Sequence, residues 1–246
     1  MKFLIPFLTL FLTVSCTSLP ETLETQYLVN KFSETPDLLC LESRNSKASL
    51  GIIFYPGAFV DPHAYLQWQD KLVSLESQFK VFTVKMPANL AVLDAEKGYD
   101  LLRANPDIKV WLAAGHSLGG TMAAQLISKH TNDFKGLIFI ASYPANNALK
   151  TWDGAVLSVY ASKDGLSTVA DIELHKQDLS KAFDLISLYD FSLPIQNKTH
   201  YFKINGGNHA QFGNYGLQTK DSVAIISTRD QQSQLILALS NFVANL

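Results

Sequence analysis

Short apolar runs alternate with amphipathic stretches along most of the chain. Leu50 to Tyr55 (Leu-Gly-Ile-Ile-Phe-Tyr) is apolar throughout and closed by Pro56-Gly57, the pattern of a buried strand entering a turn. Tyr65, Trp68, Leu72, Val73 and Leu75 then recur near helical spacing, and Val81 to Val84 is a second strand. Val92 to Leu102 is predicted helical, Ile108 to Ala114 a strand, and Met122, Ala123, Leu126 and Ile127 mark one face of a helix. Gly136 to Ala141, Ala155 to Tyr160 and Tyr201 to Ile204 continue the strands. The last segment opens with Thr228-Arg229-Asp230-Gln231, a capping-box pattern, and carries Leu235, Ile236, Leu239, Phe242 and Val243 as a core stripe. Strands that are apolar throughout must be covered on both faces, and intervening helices supply the cover. The expected fold class is α/β, a mostly parallel central sheet with helices on both faces. Such a sheet holds ligands at the carboxyl ends of its strands.

Composition narrows the function. A chain of 246 residues with 47% hydrophobic positions and a net charge of −2 can build a sizeable core. The charge is near zero and no Lys/Arg run occurs, so nucleic acid is a poor partner. No internal repeat, C-x-x-C, H-E-x-x-H or Walker pattern is present.

The amino terminus has its own character. Phe3 to Val14 is apolar behind Lys2, too short for the roughly 20 residues a bilayer span needs, and reads as a secretory signal. It ends in Leu12-Thr13-Val14-Ser15-Cys16, which resembles the lipobox of bacterial lipoproteins, with Thr13 where Leu is usual. The resemblance implies a signal peptide over 1–15, lipidation of Cys16, and export to a membrane through that lipid anchor; an ordinary signal peptide of a secreted or periplasmic protein is the alternative. Residues 16–24 are polar and read as a tether, leaving 25–246 as a single α/β domain. Cys40 then has no intrachain disulfide partner.

Several strand ends carry chemistry. Gly115-His116-Ser117-Leu118-Gly119-Gly120 lies directly between a strand and a helix. A G-x-S-x-G match is weak alone and could be a plain turn or a phosphate loop, but on a strand-to-helix turn small neighbours suit a strained serine nucleophile. The helix N-terminus behind it favours developing negative charge. A serine hydroxyl needs a base, and the base a third group to orient it. In this fold they should follow in the order Ser, Asp or Glu, His, each past a strand. Asp164 follows the strand ending at Tyr160, and His209 lies in Asn205-Gly206-Gly207-Asn208-His209 beyond Ile204. His63 and His116 precede or abut the serine, and His130, His175 and His200 fall in helices or at a strand start. Asp153 precedes its strand, while Asp171, Asp178 and Asp184 lie in helical or irregular stretches. Two backbone N–H donors usually hold an oxyanion. The candidates are Leu118, after the serine, and Ala58, in the loop Tyr55-Pro56-Gly57-Ala58-Phe59, which a simple Pro-Gly turn would also resemble.

With these residues the chain resembles the α/β-hydrolase superfamily, most closely its small bacterial family 5 branch. The resemblance runs from about Gly51 to the C-terminus. It is carried by Tyr55-Pro56-Gly57-Ala58 with Asp61-Pro62 and Ala64-Tyr65, by Met86-Pro87-Ala88-Asn89-Leu90-Ala91-Val92-Leu93, by the serine turn, by Ala141-Ser142-Tyr143-Pro144-Ala145, by Asp164-Gly165-Leu166, and by Gly206-Gly207-Asn208-His209-Ala210-Gln211-Phe212-Gly213 with Tyr215-Gly216. It implies a Ser–Asp–His triad on Ser117, Asp164 and His209, with no metal or organic cofactor required.

Two features depart from the superfamily pattern. Pro56-Gly57 stands where many members have His-Gly, and Gly165 to Thr199 is long for this branch, so that Ala182 to Pro194 is expected as an extra helix or flap over the site. Only Ser142 to Gly154 separates two strands where larger relatives insert a lid, which argues for a minimal lid. An open cleft near Phe59, His116, Tyr143, Phe212 and Tyr215 would suit a small-molecule ester with a modest acyl or alcohol group, although the same aromatics could equally be core. A serine esterase is therefore the leading expectation. A thioesterase, dienelactone hydrolase or peptidase of the same fold would share every residue named, and a non-catalytic surface binding lipoprotein is the alternative of another class. Oligomeric state is left open.

Overall fold

The computed structural model describes residues 28–185 and 198–246. Nine strands form one sheet: β1 (Lys31–Glu34), β2 (Leu38–Glu42), β3 (Leu50–Tyr55), β4 (Phe79–Val84), β5 (Val110–His116), β6 (Gly136–Ile140), β7 (Ala155–Ala161), β8 (Lys181–Leu185) and β9 (Lys198–Ile204). Their order across the sheet is β1-β2-β4-β3-β5-β6-β7-β9-β8. The first two pairings are antiparallel, and every pairing from β4–β3 to β9–β8 is parallel. The central strands β3, β6 and β7 are buried at every position, which explains why they read as unbroken apolar runs.

Successive side chains of a strand face opposite sides, and two apolar layers result. On one side Ile52, Phe54, Leu112, Ile138 and Leu157 pack beneath α1 (Leu66–Leu75) and α5 (Thr228–Ala244), through Trp68, Leu72, Leu235, Leu239 and Phe242. On the other, Ile53, Tyr55, Ala113, Leu137 and Phe139 pack beneath α3 (Leu118–Lys129) and α4 (Val169–His175), through Met122, Leu126, Ile127 and Ile172. This is the α/β-hydrolase architecture: a mostly parallel sheet covered on both faces.

Local expectations differ from the structure in instructive places. Val92 to Leu102 is not one helix: a 3-10 turn spans Ala91–Leu93, and α2 occupies only Asp100–Ala104. Gly98 interrupts the stretch, and a Cβ there would lie 2.6 Å from Ile53. The cap of α5 is Ser227, one residue before the expected start; its Oγ accepts the Asp230 N–H at 3.1 Å. The start of the expected flap is strand instead. Lys181–Leu185 adds β8 to the sheet edge beside β9, and the rest of the flap, like the signal and the whole tether with Cys16, lies outside the described residues. The connection from β6 to β7 holds no helix, in keeping with a minimal lid.

Candidate active site

The serine turn is held by close packing. Ser117 directly follows β5 with φ 53° and ψ −128°, a positive-φ conformation that a residue with a side chain rarely adopts. Its N–H donates to the Ile140 carbonyl at 2.9 Å, and its carbonyl accepts from Ser142 Oγ at 2.6 Å, so the turn is tied to β6. The flanking glycines are steric requirements. A Cβ on Gly115 would lie 2.3 Å from the Gly119 carbonyl carbon, and one on Gly119 would lie 2.1 Å from the Tyr55 oxygen. The first turn of α3 therefore rests on the end of β3. Backbone strain gathers along this rim: Phe59, Ala88, Asn89 and Ala141, beyond β3, β4 and β6, share positive φ with Ser117.

Asp164 and His209 meet across 45 residues of chain. His209 Nδ1 lies 2.8 Å from Asp164 Oδ2, with both side chains withdrawn from solvent. Asp164 Oδ1 accepts N–H bonds from Leu166 at 2.8 Å and Ser167 at 2.7 Å, which fix the carboxylate within its own loop. The His209 loop is held from behind by α5: Gln231 Oε1 accepts the Asn208 N–H at 3.0 Å while Gln231 Nε2 donates to the Asn208 carbonyl at 2.7 Å. Trp68 Nε1 donates to the Phe212 carbonyl at 3.1 Å from α1. Among the described residues Ser117 Oγ makes no hydrogen bond to His209. The residue before the serine does approach the histidine: the His116 ring lies 4.5 Å, centroid to centroid, from that of His209.

The loop after β3 presents the second expected feature. Gly57 N–H donates backward to Tyr65 Oη at 3.0 Å, the Val60 N–H closes a turn onto the Gly57 carbonyl, and the Phe59 N–H donates to the Asn89 carbonyl at 2.7 Å. Among the described residues, no group accepts from the Ala58 N–H or from the Leu118 N–H, so both are available to a bound anion. Tyr65 Oη accepts from Gly57 and lies 2.9 Å from His116 Nδ1; its own proton meets no other acceptor among the described residues, so it is donated to Nδ1, which puts the imidazole proton on Nε2. That Nε2 ends against the His209 backbone without a well-formed hydrogen bond. Burial, and then proximity to His209, hold the His116 pKa well below 6.5, and burial raises that of Tyr65.

The expected cleft needs correction. His116, Phe212 and Tyr215 are fully buried and form the packed wall behind His209, because the aromatic positions after the histidine fold inward under α1 and α5. Phe59 is exposed and Tyr143 half-buried, and they remain at the surface. Sequence reasoning also missed the supports. Gln231 had a legible signal, a polar residue in register with the core stripe of Leu235 and Leu239. Asp221 had none: it lies in a polar loop, yet its carboxylate accepts N–H bonds from Gly165 and Ala210, the residues after Asp164 and His209. Among the described residues no cluster of metal-ligating side chains occurs.

The α/β hydrolase family model matches residues 51–233, a span that contains every residue of the site described. The chain belongs to the α/β hydrolase family. Solved structures of similar fold include a predicted CIB-like hydrolase from Thermoplasma acidophilum, at 15% identity and TM-score 0.62 over 89% of this chain and 99% of that one. Est1E from Butyrivibrio proteoclasticus, solved with ferulic acid, is similar at 10% identity and TM-score 0.60 over 84% of this chain and 95% of its own. A protein of unknown function from Agrobacterium tumefaciens is similar at 16% identity and TM-score 0.55 over 87% and 96%. At these identities the likeness is one of fold. No curated protein matches the chain. Family membership makes this α/β hydrolase a hydrolase; its substrate and catalytic group are a separate matter.

Proposed function

We propose that the protein is a serine hydrolase of carboxylic esters using Ser117, His209 and Asp164. The observation that carries this reading is the buried contact of 2.8 Å between His209 Nδ1 and Asp164 Oδ2, alongside a strained serine turn whose Leu118 N–H is unengaged and a loop after β3 whose Ala58 N–H is unengaged. Ser117 Oγ attacks the acyl carbon as His209 Nε2 takes its proton. Asp164 holds the proton on Nδ1 and stabilises the imidazolium that forms. The Leu118 and Ala58 N–H groups hold the oxyanion, a contribution of about 3–4 kcal/mol per donor in a comparable setting. His209 returns its proton to the leaving alcohol, then activates water to release the acid. Neither metal nor organic cofactor enters these steps.

Hydrolysis of p-nitrophenyl esters, acyl thioesters and aminoacyl amides by wild type and Ser117→Ala tests the reading. Ester turnover abolished by the substitution is expected. Preference for thioester or amide would reassign the leaving group to a thioesterase or peptidase, and no turnover of any of them by folded wild type would favour a binding lipoprotein. The chain is also proposed to be exported and lipid-anchored through Cys16, which predicts labelled palmitate incorporation that Cys16→Ala eliminates.

A further inference from the structure

We propose that Asp221 is a positioning residue for hydrolysis: its carboxylate clamps the loop carrying Asp164 to the loop carrying His209 and so sets the geometry of the pair. The inference rests on the proposed roles of those two residues. Asp221 Oδ1 accepts the Gly165 N–H at 3.1 Å and, more weakly, the His209 N–H at 3.3 Å, along with that of its neighbour Ser222 at 2.9 Å. Oδ2 accepts the Ala210 N–H at 2.9 Å. A charged acceptor makes these bonds stronger than neutral ones.

Asp164 is fixed within its own loop by the Leu166 and Ser167 N–H groups, and His209 is fixed within its own by Gln231 acting on Asn208. What these bonds leave undetermined is the offset of one loop from the other. The β7–β9 ladder limits it on one flank, where the Lys163 N–H donates to the Gly207 carbonyl at 2.9 Å. Asp221 supplies a further link at the residues immediately after the pair. The segment that delivers it is built under strain. Lys220 has φ 74°, and a Cβ on Gly165 would lie 2.2 Å from the Lys220 oxygen, so the approach depends on glycine at 165. Asn208 Nδ2 donates to the Ser222 carbonyl at 2.7 Å and ties the segment to the histidine loop a second time. A carboxylate serving only its own irregular loop would find its donors there; this one takes three of its four from two other loops.

The test uses Asp221→Ala and Asp221→Asn in the full chain, read by ester kinetics, thermal unfolding and the low-field proton resonance of His209 Nδ1–H, assigned by its loss in His209→Gln. Asp221→Ala is expected to lower kcat by tens-fold, up to about 100-fold, with KM within about two-fold, and to shift or broaden the resonance. Asp221→Asn, which retains one acceptor oxygen, should fall between and serves if the alanine variant fails to fold. An unchanged resonance with unchanged kcat, or a kcat loss equal to the loss of folded protein, overturns the proposal. Should wild type show the resonance but no turnover, the esterase reading fails while the resonance still reports on the clamp.

Discussion

The two halves of the site are built by different means. The serine half, from β5 through the turn into α3, is made by contiguous residues: the conformation of Ser117 and the absence of Cβ atoms at Gly115 and Gly119 create it where strand meets helix. The aspartate–histidine half is made by residues far apart in sequence. Asp164 and His209 lie on separate loops, and Asp221, Gln231 and Trp68 reach them from a third loop, α5 and α1. A contiguous site depends on steric fit and should fail by unfolding, whereas an assembled one depends on hydrogen bonds and should fail by losing rate while staying folded.

Asp164→Asn sharpens that contrast most. It keeps the volume and one acceptor oxygen for Leu166 and Ser167 but disturbs the tautomer of His209, so kcat should fall by about 10⁴-fold, some 5.5 kcal/mol of barrier, with a thermal midpoint near that of wild type. A large loss of stability instead would place Asp164 with the steric half. Gly119→Ala should do the reverse. Its Cβ meets the backbone of Tyr55 and Pro56, which no rotamer can relieve, and urea unfolding should show a loss of roughly 1–3 kcal/mol or more. Wild-type stability in that variant would break the comparison.

Tyr65→Phe lies between the two. It removes the acceptor for the Gly57 N–H and the donor to His116 Nδ1, leaving two buried polar groups unpaired. Denaturant melts should show a cost of about 1–3 kcal/mol, accompanied by a fall in kcat as the loop bearing Ala58 loosens.

The smallest effect is on pH. His116 titrates well below 6.5 when folded, and His200, buried on β9 and then repelled by Lys198, is pushed down to about 4. Unfolded, both bind protons near pH 6.5, so between that pH and about 4 the unfolded chain holds more protons than the native one. Stability should therefore be flat above pH 7 and fall as the pH drops from about 6.5 toward 4. Urea midpoints across that range check the sign, and a His200→Phe variant should flatten part of the slope.

The same division explains what could be read from the chain itself. The apolar runs of β3, β6 and β7 and the stripes of α3 and α5 were legible because covering a sheet on both faces imposes a simple pattern. The serine turn was legible because its requirement for small residues is local. β1 was not, since an exposed edge strand such as Lys31–Glu34 carries no apolar run; β2 does carry one, Leu-Leu-Cys-Leu, but it is too short for periodicity to separate strand from helix. β8, Lys181–Leu185, was hidden for the same reason as β1 and occupies the start of the expected flap. His116, Phe212 and Tyr215 were placed at an open cleft because an aromatic near a nucleophile looks alike in sequence whether it faces substrate or core. Asp221 left no trace, because its partners are backbone N–H groups, which every residue but proline supplies.

The central claim is that Ser117 is a nucleophile activated by the His209–Asp164 pair. A fluorophosphonate probe, with the adduct mapped by peptide mass spectrometry, tests it most directly. Wild type should carry a single adduct on Ser117, formed far more slowly in His209→Gln and absent in Ser117→Ala. Folded wild type that takes no label, or Ser117→Ala that labels as wild type does, would contradict the account.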